Sequence, residues 1–584
     1  MDGIEPEVLL ESYAVGGDAA SYAFMGLCGQ VEAGRPEEVL SALAEVERAV
    51  GRGLHAAGFV CYEAAAGLDV ALETQESRGW PLLWFGLFEE RREVVAGQMS
   101  ARGAYSIGGW QPSISRQVYD RDLRVIREYI AAGDTYQVNY SFRLQAEFGG
   151  DDRAFYADLC QAQGSAYCAY VNLGRFRLLS AAPELFFSLR DGVLQARPMK
   201  GTQERGRWWA EDEELAQGLH HSPKNRAENA MIVDLLRNDL GRISLPGSVL
   251  VDDMWTVERY ETVLQMTSGV GSTIQPDTGL VELFAALFPC GSVTGAPKVR
   301  TMQIIRELEM GPRGPYTGCI GYVSPGMEAC FNVAIRTVCL DLEMGTAEFG
   351  VGGGITWDSS LEGEYGECLV KARVLTSRRP DFDLLETLRY DPSEGFFLLQ
   401  RHLQRLGETA RYFGFCCNLS EVESYLQEVV AGIEGVHRVR LTLGRQGEMA
   451  VQCTFLPEEA MALSWQASIA KQPVDSSDPF LFNKTTHRKL YEDQLAQHAA
   501  SDEVLLHNER GEVTECCNGN LVAVFDGEQY TPPRQCGLLG GTFRAELLER
   551  GEIRERIILL EDLQQATDLY LINSVRKWVQ LTLV

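Results

Sequence analysis

Lys224-Asn225-Arg226-Ala227-Glu228-Asn229-Ala230-Met231-Ile232-Val233-Asp234-Leu235-Leu236-Arg237-Asn238-Asp239-Leu240-Gly241 governs how the surrounding sequence is read. Its apolar residues recur at helical spacing, which predicts a helix with Ile232, Leu235 and Leu236 on one face. Glu228, one turn before Ile232, projects from the same side and can point inward.

Upstream, Lys200 lies in Pro198-Met199-Lys200-Gly201-Thr202, and Glu184 opens the apolar run Ala182-Pro183-Glu184-Leu185-Phe186-Phe187. Burial there would raise the Glu184 pKa towards a general-acid role. A lysine beside a glycine is by itself an ordinary turn charge, and it is the company of Glu184 and Glu228 that argues for chemistry. Downstream, Glu364-Tyr365-Gly366-Glu367-Cys368-Leu369-Val370-Lys371 predicts a second acidic helix with Glu364, Glu367 and Lys371 on a shared face. This reads either as a surface ion-pair stripe or as the wall of a site. The run Gly350-Val351-Gly352-Gly353-Gly354-Ile355 just before it favours the site, because glycine permits close backbone approach and exposes amide donors.

A chain of 584 residues exceeds what one hydrophobic core supports, so at least two domains are expected. The formal net charge of −29 argues against broad attraction to nucleic acid or anionic membranes, so an anionic substrate needs a local basic cluster. Met1-Asp2-Gly3-Ile4-Glu5-Pro6 lacks the charged and apolar regions of a secretory leader, and no apolar run is long enough to span a bilayer. A soluble, cytoplasmic protein is the expectation. The 15 cysteines are dispersed, with Cys416-Cys417 and Cys516-Cys517 adjacent, and read as reduced structural thiols. Pro36 to Val50 reads as helical and Trp84-Phe85-Gly86-Leu87-Phe88 as strand. Ser377-Arg378-Arg379-Pro380-Asp381 interrupts the periodic pattern, which suggests an N-terminal part over 1–110, a catalytic region over 111–376, a linker over 377–381 and a last domain over 382–584.

Residues 116–376 resemble the chorismate-utilising family. The resemblance rests on Gly133-Asp134-Thr135-Tyr136-Gln137-Val138-Asn139, the Glu184 and Lys200 segments, Arg237-Asn238-Asp239, Gly291-Ser292-Val293-Thr294-Gly295-Ala296-Pro297-Lys298, Ile335-Arg336-Thr337 and the final acidic helix. The implied architecture is α+β, a β-sandwich with surrounding helices. Anthranilate-forming members carry alanine where Lys200 stands, whereas a lysine marks the aminodeoxychorismate synthases. Isochorismate and salicylate enzymes carry a water-activating lysine at the position of Gln137, which cannot act as that base. The resemblance thus implies amination of chorismate at C4 through a covalent adduct of Lys200, with Glu184 as acid. It implies Mg²⁺ on Glu228 and Glu367 with Glu364 in support, and substrate contacts from Gln137, Arg336, Lys371, Gly353 and Thr294. Lys298 is either another carboxylate partner or structural, and Gln265, where many relatives have histidine, leaves the contacts over the ring open. Leu9-Leu10-Glu11-Ser12 resembles a tryptophan-binding element of relatives or is an edge strand of the sandwich. No nucleophile-elbow cysteine of a glutaminase appears, so a separate glutamine amidotransferase subunit is the implied ammonia source.

Residues 382–584 resemble class IV pyridoxal-phosphate enzymes, with an implied two-subdomain α/β fold. The matching segments are Phe382 to Arg389, His402-Leu403-Gln404-Arg405-Leu406, Phe482-Asn483-Lys484-Thr485-Thr486-His487-Arg488, Gly511 to Leu521, Thr531-Pro532-Pro533 and Gly537 to Arg544. The resemblance implies that Lys484 bonds the pyridoxal 5'-phosphate and later serves as base, and that Glu515 faces the pyridine nitrogen. Arg405, Gly541 and Thr542 would hold the phosphate. Glu515-Cys516-Cys517 resembles the aminodeoxychorismate lyase subgroup, with both cysteines packed in a strand. The pairing of the two regions implies p-aminobenzoate synthesis for folate. A transaminase or a non-catalytic docking module in the last region are the alternatives, and the dimers common among class IV relatives leave a homodimer open.

Overall fold

Runs such as Gln137–Leu144 and Cys319–Ser324, buried at every position, show that strands of the first part of the chain are covered on both faces. The computed structural model describes residues 8–14, 20–77, 79–98, 103–378, 380–457 and 464–584. The N-terminal hexapeptide and Arg379 of the boundary segment lie outside them. The chain divides into two units, Met1–Arg205 with Ala216–Arg379, and Gly206–Leu215 with Pro380–Val584.

In the first unit, antiparallel strands pack around an interior of Val8, Phe24, Phe59, Val171, Leu178 and Ile320. Helices add two further cores. Val39–Gly51 and Leu280–Leu287 cover one set of strands, and Arg116–Ala131 and Asp152–Gln163 cover another. The sandwich with surrounding helices is therefore present. The helix read from Pro36 to Val50 is a short 3-10 turn running into Val39–Gly51, and the aromatic run lies in the strand Leu83–Val94. Val8–Glu11 is not an edge strand: it pairs with Ser21–Ala33 on one side and Tyr167–Leu173 on the other.

Three local features place the site residues of this unit. The strand Met199–Glu204 pairs with Val263–Thr273, but its register slips between Met199 and Thr202. Lys200 and Gly201 thus occupy a bulge, with Gly201 at φ 89°, a geometry that re-aims side chains. The glycine strand Thr346–Ile355 runs antiparallel to Gln137–Gly150, with Gly352 opposite Ser141 and Gly354 opposite Asn139. The helices Pro223–Gly241 and Leu361–Ala372 form as the spacing predicts, capped by the Ser222 and Ser360 hydroxyls. Ile232 and Leu236 are buried and Leu235 is half-buried.

The second unit has two parts. Leu384–Asp391, Gly395–Phe396, His437–Leu443 and Met449–Phe455 form a four-stranded antiparallel sheet, packed on Leu399–Phe413 and Leu419–Val429. The rest is built on an eight-stranded sheet in which Ser464–Ile469 pairs in parallel with Glu503–His507 and Lys577–Leu583. Lys484 lies in the crossing segment. The Leu385 amide donates to its carbonyl at 3.0 Å, while Phe482, two residues earlier, is buried in a core of the second part. Cys516 ends a buried strand and Cys517 follows it, still buried. All 15 cysteines are free thiols. Among the described residues no helix is long and apolar enough to cross a membrane.

Candidate active sites

A cavity of about 110 Å³ in the first unit is lined by Glu184, Lys200, Glu228, Arg336, Glu364, Glu367 and Lys371 among others. Lys200 is 9% exposed; burial lowers its pKa, with the Glu228 charge opposing. A Cβ on Gly354 would lie 2.2 Å from Gln137 Nε2 and 3.0 Å from Lys200 Nζ. The glycine there is what lets the amide and the amine reach the strand. Both polar atoms of the Gln137 side chain are buried without a hydrogen-bond partner, a cost that a polar ligand would remove. Glu184 is pushed up to about 7 by burial, against the Ser292 hydrogen bond and the Lys200 charge.

Around this pair the charges form a ring. Lys371 Nζ donates to the Gly352 carbonyl at 2.9 Å and pairs with Glu367 at 2.7 Å. Burial alone would raise Glu367, but Lys371, together with the Lys200 and Lys224 charges, holds the carboxyl low. Arg336, at φ 52°, donates to the Lys371 carbonyl, and burial brings its pKa down to about 10. Glu364 accepts from Ser359 at 2.6 Å, and burial raises both Glu364 and Glu228. The acidic helix thus lines the cavity with Glu364, Glu367 and Lys371 and is not a surface stripe.

Among the described residues no three or more His, Cys, Asp and Glu side chains close into a metal cage. The carboxylates nevertheless suit Mg²⁺, which keeps several waters and takes oxygens from substrate: Glu228 Oε1 is buried with no hydrogen-bond partner. Lys224, which motif reading passed over, stands 3.9 Å from Glu228 and 3.8 Å from Glu364. Its position in the quoted helix one turn before Glu228 was the available signal.

The other residues expected in this unit are placed as follows. Thr294 is buried with its hydroxyl 3.1 Å from the Cys290 carbonyl and 3.3 Å from that of Gly291, and it is not among the cavity's lining residues. Gly353 faces the acidic helix, since a Cβ there would lie 3.2 Å from Glu364 Oε2. Lys298 takes the structural role, paired with Asp239 at 2.8 Å. Gln265 splints the Lys200 turn: its amide donates to the Gly201 carbonyl at 2.9 Å and its oxygen accepts from Thr202 at 3.0 Å. A separate cavity of about 710 Å³ is bordered by Leu10, Glu11, Tyr22, Tyr167 and Asn332; Glu11 accepts from the Gly97 amide at 2.8 Å.

In the second unit burial, with the Arg405 and Arg488 charges, lowers the Lys484 amine to about 7. Glu515 is 4% exposed and burial pushes it up to about 8. It accepts from Tyr491 at 2.9 Å, from Asn520 at 3.2 Å and from the Leu539 amide at 3.2 Å, so its carboxyl is oriented from three sides. Arg405 grips Glu386 through two nitrogens at 2.9 and 2.7 Å and reaches the Gly540 carbonyl at 3.2 Å. His402 joins Glu386 to Thr542 at 2.6 and 3.2 Å. Burial would raise Glu386, yet Arg405 and His402 hold it far below the usual carboxylate range.

Gly541 precedes the helix Thr542–Glu549, whose first amides have no side-chain cap. A Cβ on Gly541 would fall 2.0 Å from Asn520 Oδ1, so a larger residue has to displace the Asn520 amide that donates to Glu515. Uncapped amides, an arginine and a hydroxyl are the donors a phosphate takes, and the buried Glu515 carboxyl with the half-buried Lys484 suits a pyridine ring. The donor set therefore fits pyridoxal phosphate. Glu386 and His402 lay within quoted motifs but were given no role. The signal for Glu386 was alternation, which puts it on the same strand face as Leu384 and Leu388.

Residues 12–377 match the family of chorismate binding enzymes, and residues 383–584 match class IV amino-transferases. Aminodeoxychorismate synthase component 1 of Bacillus subtilis is 39% identical over 265 residues, 45% of this chain and 56% of the relative. That of Escherichia coli is 39% identical over 267 residues, 46% of this chain and 58% of the relative. The chain thus spans little more than half the length of these relatives. The crystal structure of anthranilate synthase component I from Streptococcus pneumoniae superposes with a TM-score of 0.53 at 26% identity, over 65% of this chain and 94% of that one. With the Lys200 and Glu184 site lying inside a match that takes in most of its length, the chain belongs to the chorismate binding enzyme family and continues into a class IV amino-transferase region.

Proposed function

We propose that the chain makes p-aminobenzoate from chorismate and ammonia, the first unit aminating C4 and the second eliminating pyruvate. The observation that carries the first step is the burial of Lys200 against the strand at Gly354, in one cavity with Glu184. Burial lowers the pKa of this amine, which favours its neutral, nucleophilic form. Lys200 Nζ bonds to C2 of chorismate, the ring double bonds shift towards C4, and the C4 hydroxyl leaves with the Glu184 proton as water. Ammonia then bonds to C4, the double bonds shift back, and Lys200 is expelled. A carboxyl near 7 suits Glu184 to both proton transfers. Magnesium held by Glu228 and Glu367, with Glu364 in support, would supply positive charge to the ring carboxylate. Arg336 and Lys371 pair with substrate carboxylates, and Gln137 spends its free amide on the ring substituents. The relatives are named component 1, which supports a separate glutamine amidotransferase as the source of ammonia.

In the second unit, pyridoxal phosphate on Lys484 would act as an electron sink for bonds breaking at the substrate. Arg405, Thr542 and the Gly541 turn hold the phosphate, and Glu515 holds the pyridine nitrogen. Lys484, near 7, takes the proton from substrate C4. Enolpyruvate then leaves from C3 as the ring becomes aromatic.

The test is incubation of the purified protein with chorismate, Mg²⁺, pyridoxal phosphate and ammonium, with products resolved by chromatography. p-Aminobenzoate and pyruvate in equal amounts are expected. Accumulated aminodeoxychorismate would refute the lyase step and leave a transaminase or a docking module in the second unit, and anthranilate would refute the role of Lys200.

A further inference from the structure

Between the strand that carries Lys200, which ends at Glu204, and the helix that carries Glu228, which starts at Pro223, ten residues belong to the other unit. These are Gly206–Leu215. Their packing there is specific. Trp208 stacks on Phe482 with ring centroids 5.1 Å apart, and the Arg207 guanidinium lies 4.9 Å from the Trp208 ring and 5.0 Å from the Phe482 ring. Asn483 donates through Nδ2 to the Arg207 carbonyl at 3.0 Å, and Tyr412 donates to the Gly206 carbonyl at 2.7 Å. Trp208 joins the core that contains Phe482 and Tyr491, whereas the adjacent Trp209 joins the core beneath the four-stranded sheet. The two tryptophans therefore pin both parts of the second unit beside Phe482-Asn483-Lys484.

We infer that Gly206–Leu215 is a positioning element of the second active site, acting on Lys484 through Phe482 and Asn483. The inference rests on reading Lys484 as the cofactor lysine. The physical case is geometric. The Lys484 carbonyl is held from one side by the Leu385 amide, and the residue before it is held by the Arg207 carbonyl. The Asn483 contact cannot form if the segment is withdrawn, and the backbone at Lys484 is then held on one side only, by the Leu385 amide. A lysine that must reach a cofactor carbon within a fraction of an ångström depends on such support. The segment is anchored in the chain at one end by the strand of Lys200 and at the other by the helix of Glu228.

The experiment uses full-length protein loaded with pyridoxal phosphate, comparing the parent with Trp208→Ala, Trp208→Phe and Asn483→Ala. Two quantities are read: the pH titration of the absorbance band of the lysine-bound cofactor, and the rate of cofactor loss on dilution. Trp208→Ala should move the band's midpoint by about half a pH unit or more and speed cofactor loss roughly tenfold, as loss of an aromatic pair implies. Trp208→Phe should restore both, while chorismate amination stays near parental and reports the fold of the first unit. A band and a loss rate unchanged in Trp208→Ala would overturn the inference alone; absence of any such band in the parent would overturn the Lys484 reading and the inference with it. Should Trp208→Ala fail to fold, Asn483→Ala decides the matter by the same two readings.

Discussion

Replacing Lys484 by methionine should make the cofactor-stripped second unit more stable, by an amount that shrinks as pH rises. Burial, with Arg405 and Arg488, takes the amine from 10.5 to about 7. Between those values the unfolded chain binds more protons than the folded one, so stability increases with pH; below about 7 both states are protonated and the penalty is constant. At about 1.4 kcal/mol per pKa unit the full penalty is about 4 to 5 kcal/mol, of which about 2 kcal/mol is relieved between about pH 7 and about pH 9. The half-buried amine is reached by some water, so these are upper bounds. Glu515, itself raised to about 8, is partly held down by Lys484, so the parent-minus-variant difference reports the pair. The assay is amide hydrogen exchange of the buried strand Asn520–Phe525, measured for both proteins across this pH range. Parallel pH profiles for parent and Lys484→Met would refute the claim that burial depresses this amine.

Gly354→Ala should cut chorismate amination by roughly 10²-fold, because the new methyl displaces Gln137 and Lys200 and an ångström of misplacement has that effect; steady-state kinetics with ammonium checks it, and no change would argue against a reaction at this strand. Lys200→Ala should abolish amination while pyruvate release from added aminodeoxychorismate continues, as seen by a coupled pyruvate assay. Glu386→Gln should destabilise the second unit by about 3 kcal/mol at neutral pH, since it leaves Arg405 and His402 without their buried counter-charge. Because the folded Glu386 pKa lies below its unfolded value, its stabilisation is present above that unfolded value and lost as pH falls towards the folded one; urea unfolding at descending pH should therefore show a flatter acid limb in the variant.

Much of both sites was legible along the chain. Lys200, Glu184, Glu228 and the acidic helix sit in short segments whose periodicity tells which side faces inward, and Glu364 is indeed buried. Lys484, Glu515, Arg405 and Gly541 likewise fall in contiguous motifs, and the strand and helix that open the last domain follow from alternation. The reading went less far at side chains with more than one acceptor in reach. Thr294 donates to its own turn, and Lys298 spends its charge on Asp239.

By itself the sequence determined the family and brought forward the residues proposed for both sites, because local spacing and residue chemistry are properties of neighbours in the chain. Only the tertiary structure decided that Gly206–Leu215 belongs with Lys484, that Glu386 and His402 brace Arg405, that Lys224 stands among the cavity's carboxylates, and that Glu184, Lys484 and Glu515 are moved to about 7 or 8. Each of these depends on groups far apart in sequence meeting in a place from which water is excluded, and neither the meeting nor the exclusion is encoded in any one stretch of residues.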